Sequence, residues 1–241
     1  MAAGWRCGMK RKLKIAVINP NSSEEMSQDI AKAAKKYAAG RFEVITIAIK
    51  SAPDIVDFER DIEKTESGLR EIVRDYEGIA DAFVISCHYD PNVMQLRRAV
   101  SKPVIGIGEA AIRLASILGI RFTVIDKDEN SVAYIKGMVS KYGMERSCAS
   151  VRVLEEGETE EEAYMQTIYK AVREDLTDVI VVGCEGQSAM VESIRSQVNV
   201  PVLDGMTCGL IIAEGMANAG YHTSRAWYYS DRPDFFSPKQ Q

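Results

Sequence analysis

Short, unbroken apolar runs alternate with amphipathic stretches along almost the whole chain. The apolar runs predict strands at 14–19, 42–49, 82–87, 103–108, 121–126, 151–154, 179–184 and 201–205. The stretches between them predict helices at 22–37, 58–76, 92–100, 110–118, 130–142 and 159–174, and two more that end at Val198 and Ala219. A capping-box pattern of Ser22 and Glu25 predicts the start of the first helix. Since strands buried on both faces carry unbroken apolar runs, the pattern predicts an α/β fold with parallel sheets covered by helices.

The chain contains one pattern twice. The strand AFVISC is followed by a polar loop, a helix and KPVIGIGEAA, and the strand VIVVGC is followed by a polar loop, a helix and VPVLDG. Cys87 precedes Pro103 by 16 positions, and Cys184 precedes Pro201 by 17. The runs KIAVIN and RFTVID open the two halves, 107 positions apart. The repeat predicts two α/β units, each with a cysteine at the carboxyl end of a core strand, just before a helix.

The position of these two cysteines suits acid–base chemistry. Ligands bind at the carboxyl edge of open α/β sheets, so two units that face each other place Cys87 and Cys184 across one cleft. A helix N-terminus lowers the pKa of a nearby thiol, and its N–H groups hold a developing oxyanion. The loops HYDPN (88–92) and EGQS (185–188) supply such N–H groups. We therefore predict that Cys87 and Cys184 are catalytic, because a matched pair is unexpected for cysteines that only fill the core.

Composition narrows the class of protein. The 241 residues carry a net charge of −5, which gives no basic field for nucleic acid. No apolar stretch approaches the roughly 20 residues of a membrane span, and the first residues lack the apolar region of a secretory signal. The five cysteines form no CxxC pair, and only two histidines accompany them, so neither a disulfide framework nor a metal site is expected. A cytoplasmic protein with reduced thiols is predicted, in which Cys7, Cys148 and Cys208 are structural.

At these residues the chain resembles the Asp/Glu/hydantoin racemase superfamily, and most closely its hydantoin and allantoin racemase branch. The resemblance extends from Leu13 to about Gly220, and it is carried by INPNSS (18–23), ISCHYDP (85–91), KPVIGIGEAA (102–111), VVGCEG (181–186) and VPVLDG (200–205). It implies two pseudo-symmetric parallel-sheet α/β domains with the active site in the cleft between them. The first domain would be 13–105 plus 205–241, because the last helix returns to it, and the second would be 106–204.

The resemblance also implies a reaction. One cysteine, as thiolate, takes the α-proton of a small-molecule substrate, and the other, as thiol, returns a proton to the opposite face. The roles of Cys87 and Cys184 exchange for the reverse enantiomer, and no cofactor or metal is needed. The implied substrate is a 5-substituted hydantoin or an allantoin-like compound, and the implied assembly is a homo-oligomer.

Five further residues are candidates for substrate binding: Asn19, Asn21, His88, Glu185 and Gly186. Asn19 and Asn21 end the first strand and equally suit a turn and a helix cap. His88 either influences Cys87 as a neighbouring cation, binds substrate or faces solvent from its loop. Glu185 raises the pKa of Cys184 if it is ionised beside the thiol, and otherwise points to solvent or caps the next helix.

Some positions differ from the related families, and other functions remain open. Glutamate and aspartate racemases commonly have Asn-Thr after the first cysteine and Thr after the second, where this chain has His88–Tyr89 and Glu185. Hydantoin racemases often end the strand RFTVID with threonines, where this chain has Asp126–Lys127. The alternatives are an acidic amino-acid racemase, a maleate-type cis–trans isomerase in which a cysteine adds to a double bond, and a non-enzymatic small-molecule binding protein.

Overall fold

The computed structural model describes residues 11–54, 62–183 and 188–229. The described strands are β1 (Lys14–Asn19), β2 (Glu43–Ala48), β3 (Ala82–Ile85), β4 (Val104–Gly106), β5 (Phe122–Asp126), β6 (Cys148–Val153), β7 (Val179–Val182) and β8 (Val202–Asp204). The described helices are α1 (Glu24–Ala38), α2 (Ile62–Asp75), α3 (Val93–Ala99), α4 (Ile107–Leu118), α5 (Ser131–Lys141), α6 (Glu160–Glu174), α7 (Ser188–Gln197) and α8 (Gly205–Asn218), followed by a short 3-10 turn at Trp227–Tyr229.

The described strands form two four-stranded sheets of identical topology. The first has the order β2-β1-β3-β4 and the second the order β6-β5-β7-β8. Each strand pair in these two sheets is parallel. The predicted α/β fold, with two repeated parallel units, is therefore confirmed.

Alternate residues of each strand enter different layers of the core. In β1, Ile15 and Val17 face the layer between the two sheets, which also holds side chains of α1, α4, α5 and α8. Ala16 and Ile18 face the outer layer, where α2 and α3 cover the first sheet. Helices α6 and α7 cover the outer face of the second sheet in the same way. Burial on both faces explains the unbroken apolar runs.

The last helix lies against the first sheet and the central layer. α8 packs on α1, α4 and β3. A β-carbon at Gly209 of α8 would lie 3.1 Å from Val84 and 3.1 Å from Ile107, so this helix approaches its neighbours closely. Glu214 of α8 forms an ion pair with Arg41, with 3.0 Å between Oε1 and Nε. These contacts accord with a returning final helix, while the domain limits given above stay a prediction.

Two predicted element starts are wrong. The strand predicted at 103–108 ends at Gly106, and α4 begins at Ile107 rather than at Ala110, because a carboxylate from another loop caps its first turn. β6 begins at Cys148 rather than at Val151, with a register shift at its start, so Cys148 belongs to this edge strand.

The predicted cap of the first helix is also wrong by one residue. The Oγ of Ser23, and not that of Ser22, accepts a hydrogen bond from the Met26 N–H at 3.2 Å. Ser22 instead donates to Asp54 at 2.6 Å. Of the helix predicted at 58–76, the first four residues lie outside the described residues.

Candidate active site

Cys87 lies at the carboxyl edge of the first sheet, as predicted. The N–H of Ser86 donates to the Ile18 carbonyl at 2.8 Å and extends the β1–β3 pairing up to the half-buried Cys87. In the second sheet, the Gly183 N–H donates to the Ile125 carbonyl at 2.8 Å, which is the equivalent bond. Gly183 is the residue before Cys184 in sequence. Cys184, Glu185 and Gly186 lie outside the described residues.

Asp90 connects the loop after Cys87 (residues 88–92, called here the Cys87 loop) to the start of α4. Asp90 has a φ of 50°, a left-handed conformation that aspartate tolerates better than most residues. Its carboxylate accepts hydrogen bonds from the N–H groups of Gly108 (2.9 Å) and Glu109 (2.6 Å), which would otherwise be unpaired donors in the first turn of α4. It also accepts one from the Tyr142 hydroxyl at 2.7 Å. Asp90 therefore connects the Cys87 loop to the start of α4 and to Tyr142 at the end of α5.

Burial raises the pKa of Asp90 to about 7, although its hydrogen bonds to Tyr142, Glu109 and Gly108 favour the ionised form and oppose the shift. Since this pKa is higher in the folded than in the unfolded protein, the contribution of Asp90 to stability is full below about pH 4. That contribution is lost as the pH rises towards 7.

The variant Asp90→Asn tests this sign. The free energy of unfolding of the wild type, minus that of the variant, is expected to fall between about pH 4 and 7, as measured by urea denaturation across that range. The control Tyr142→Phe removes a hydrogen-bond donor that favours the ionised carboxylate of Asp90. In this variant the pH range over which the contribution of Asp90 is lost should therefore shift to higher pH. A difference that stays constant with pH would contradict the buried, proton-binding state of Asp90.

The Cys87 loop also contacts α5, a helix that covers the second sheet. The Tyr134 hydroxyl donates to the Tyr89 carbonyl at 3.1 Å, and the two rings stack edge to face with centroids 5.5 Å apart. The side chain of Tyr89 is hydrogen-bonded to Ser131, at the start of α5. Burial raises the pKa of Tyr134 to about 12, and the negative charges of Cys87 as thiolate and of Asp90 add to the shift. The loop that carries Cys87 thus contacts the second half of the fold through α5.

His88 is buried, so the expectation that it faces solvent is wrong. Only 4% of its surface is exposed. Burial lowers the pKa of His88, although the charge of Asp126 opposes the shift, and the imidazole is therefore neutral at neutral pH. A cationic role beside Cys87 does not fit this environment. Among the described residues its Nε2 has no hydrogen-bond partner.

Asp126 was not among the candidate residues predicted from the sequence. It ends β5 and is buried, and the carboxylate lies near enough to His88 and Tyr89 to affect both their pKa values. Its Oδ2 has no hydrogen-bond partner among the described residues. A β-carbon at Gly183 would lie only 2.5 Å from that oxygen, so Asp126 borders the residue before Cys184. The sequence does contain a signal for this residue, because Asp126 occupies the position in the second half of the repeat that Asn19 occupies in the first.

Asn19 and Asn21 use their hydrogen bonds within the turn between β1 and α1. Asn19 is fully buried, and its Nδ2 donates to Ser27 at 2.9 Å while its Oδ1 accepts the Asn21 N–H at 3.2 Å. The Oδ1 of Asn21 accepts the Ser23 N–H at 3.0 Å. These bonds fit the turn-and-cap interpretation, and substrate binding by either residue stays a prediction.

The described cysteines outside this site have the environments of structural residues. Burial raises the pKa of Cys148 to about 11 and that of Cys208 to about 12, which keeps both as unreactive thiols. Cys7 lies outside the described residues. Within the part of the chain that is described, no group of three or more His, Cys, Asp or Glu side chains is placed to hold a metal ion. None of the described helices has the length and apolar character that crossing a membrane requires.

Comparison with known proteins gives one consistent family. The family model described as Asp/Glu/Hydantoin racemase matches residues 15–212. A hydantoin racemase from Pseudomonas sp. (strain NS671) is 32% identical over 226 residues, which cover 90% of this chain and 91% of the relative. The structure of an allantoin racemase from Klebsiella pneumoniae superposes with a TM-score of 0.83 at 26% identity, covering 95% of this chain and 97% of that one. An allantoin racemase from Pseudomonas fluorescens gives the same TM-score at 27% identity, covering 94% and 100% of the two chains.

Proposed function

The chain belongs to the Asp/Glu/hydantoin racemase family and is an isomerase, and from that premise we propose the substrate and the mechanism. The substrate is a 5-substituted hydantoin or an allantoin-like compound. Cys87 and Cys184 transfer the α-proton by acid–base chemistry without a cofactor. The domain limits, the homo-oligomeric state and the binding roles of Glu185 and Gly186 are part of the same proposal.

One observation carries the two-cysteine proposal: the Asp126 carboxylate influences the Cys87 loop and also borders Gly183, the residue before Cys184. His88 and Tyr89 follow Cys87 and lie within electrostatic reach of Asp126. Asp126 in turn borders Gly183, at the matching edge of the second sheet. This shared carboxylate supports the proposal that Cys87 and Cys184 act on one substrate.

The mechanism follows from the acidity of the carbon. One thiolate removes the α-proton from one face, and the electron pair of the C–H bond passes into the adjacent carbonyl as an enolate. The thiol on the other face then donates its proton to the same carbon, which inverts the configuration. Positioned acid and base groups typically contribute about 10²- to 10⁴-fold, and N–H donors that face the enolate oxygen add further stabilisation.

The charges around Cys87 favour an uncharged ring as substrate. The described titratable side chains on and around the Cys87 loop include neutral His88 and two carboxyl groups, Asp90 and Asp126. The partly buried cation Arg97 is paired with Glu109 at 2.8 Å. A dicarboxylate such as aspartate, glutamate or maleate would be repelled by the Asp126 carboxylate, whereas a neutral hydantoin ring would not.

A substrate panel tests the proposal. The protein is incubated in deuterated water with single enantiomers of 5-substituted hydantoins, allantoin, aspartate and glutamate, and separately with maleate. Loss of optical rotation and of the α-proton signal is expected for a hydantoin or for allantoin. Racemisation confined to the acidic amino acids, conversion of maleate alone, or ligand binding without turnover would each overturn it.

A further inference from the structure

Asp126 and Asn19 occupy equivalent positions in the two halves of the repeat. Asn19 ends β1 and Asp126 ends β5, and in each half the next helix begins five residues later. The Oδ1 of Asn19 accepts the N–H of the residue two positions on at 3.2 Å, and the Oδ1 of Asp126 does the same at 3.0 Å. Both side chains therefore hold the same turn, and each has one more polar atom to satisfy.

That second polar atom has a hydrogen-bond partner in the first half and none among the described residues in the second half. In the first half, the Nδ2 of Asn19 donates to Ser27 of α1 at 2.9 Å. The position equivalent to Ser27, 107 residues on, is Tyr134, and its hydroxyl donates to the Tyr89 carbonyl of the Cys87 loop instead. The Oδ2 of Asp126 consequently has no partner among the described residues, although 96% of the residue's surface is buried.

An acceptor that is buried without a donor destabilises the folded protein, so its presence calls for a functional explanation. The Oδ2 atom is directed at Gly183, where a β-carbon would approach it to 2.5 Å. The carboxylate also lies within electrostatic reach of His88 and Tyr89 of the Cys87 loop. The unsatisfied oxygen thus lies at the carboxyl edge of the second sheet, close to the Cys87 loop.

Given the proposed hydantoin-type reaction, we propose that Asp126 determines substrate specificity by accepting a hydrogen bond from the ring nitrogen N1, which is bonded to the reacting carbon. A carboxylate accepts hydrogen bonds but donates none, so its partner on the ring is an N–H and not a carbonyl. A 5-substituted hydantoin offers two such groups, N1–H and N3–H.

Electrostatics distinguishes the two ring nitrogens. The enolate oxygen develops on the carbonyl between the reacting carbon and N3, and a carboxylate beside it would oppose the reaction by charge repulsion. N1 lies on the other side of the reacting carbon from that carbonyl. A carboxylate that binds N1–H therefore orients the ring and stays away from the oxygen that becomes negative.

The experiment compares the wild type, Asp126→Asn, Asp126→Ala and the control Glu129→Ala, which removes an exposed carboxylate from the same loop. The substrates are the hydantoin or allantoin that the wild type turns over fastest in the panel above and its N1-methyl and N3-methyl derivatives. Asp126→Asn retains an oxygen that can accept the Asp128 N–H, so the turn is preserved. Circular dichroism and the Tm check the fold of each variant.

For the wild type, N1-methylation is expected to lower kcat/KM by about 10- to 100-fold, the effect of losing one hydrogen bond to a charged group, while N3-methylation has less than about a threefold effect. Asp126→Asn and Asp126→Ala should lose the same factor on the parent substrate. Asp126→Ala should also no longer distinguish the N1-methyl derivative by more than about threefold, while Glu129→Ala behaves as wild type.

A purely structural Asp126 would change the Tm without changing the discrimination between parent and N1-methyl substrate. An unchanged N1-methyl effect in Asp126→Ala, or wild-type kcat/KM in Asp126→Asn, would overturn this assignment alone. A wild type that turns over neither hydantoins nor allantoin would overturn the proposed function, and this assignment with it.

Discussion

Replacing Cys87 with serine is expected to lower the rate of racemisation by about 10²- to 10⁴-fold, because a serine hydroxyl is a far weaker acid than a thiol and cannot supply the base. Cys184→Ser should cause a loss of the same order. The measurement is polarimetry from each pure enantiomer, with kcat determined in both directions. Each variant is expected to retain α-proton exchange of one enantiomer, since one of the two bases remains.

Cys148→Ser is the matched control for the loss of a thiol. Cys148 lies in the edge strand β6, and burial raises its pKa to about 11. The control should racemise at nearly the wild-type rate. Near-wild-type turnover in either Cys87→Ser or Cys184→Ser would refute the assignment of two bases.

Gly108→Ala is the second change for which we expect a large effect. A β-carbon at this position would overlap the backbone carbonyl oxygen of His88 and approach Asp90 Oδ2 to 3.0 Å. The His88 carbonyl cannot move without moving the neighbouring Cys87. We expect a loss of about 1–3 kcal/mol in the free energy of unfolding, as found for overpacked interiors. We also expect about a 100-fold lower kcat/KM, because small displacements of catalytic groups are costly.

Urea denaturation and steady-state kinetics measure both effects, and Gly137→Ala is the matched control. Gly137 lies within α5, where a β-carbon would meet nothing within 4 Å. The control should stabilise the protein by about 0.5–1 kcal/mol, because alanine suits a helix interior better than glycine. A Gly108→Ala variant with wild-type stability and activity would show that the Cys87 loop is not held against α4.

The architecture was predictable because both halves of the repeat contain the same series of apolar runs. Both sheets, their parallel direction and the position of Cys87 at a carboxyl edge follow from runs such as AFVISC and from the spacing of the two halves. Unbroken apolar runs indicate strands that are buried on both faces. In this fold, the central layer buries one face of each sheet and an outer layer of helices buries the other.

The element starts were less predictable because distant groups determine them. α4 begins at Ile107 since the Asp90 carboxylate, some 17 residues away in sequence, caps its first turn. β6 begins at Cys148 through a register shift against β5. Neither the tertiary cap nor the irregular pairing leaves a signal in local hydrophobic periodicity.

The site was predictable only in part. The position of Cys87 follows from the repeat, whereas His88 is buried in a loop that contacts α4 and α5, which are distant in sequence. Asn19 was chosen because it ends a strand, yet its amide is used within the turn. Asp126 ends the equivalent strand, and its Oδ2 has no partner in the described part of the chain, a difference that depends on tertiary hydrogen bonds.

Deuterium incorporation during the first turnovers tests the central claim most directly. The wild type is given one pure enantiomer of its best hydantoin in deuterated water at neutral pH, and product and remaining substrate are separated on a chiral column and analysed by mass spectrometry. Two bases on opposite faces predict a product that carries deuterium from the outset, while the remaining starting enantiomer keeps its protium. A product that retains the original proton, or a starting enantiomer labelled as fast as product forms, would contradict that account.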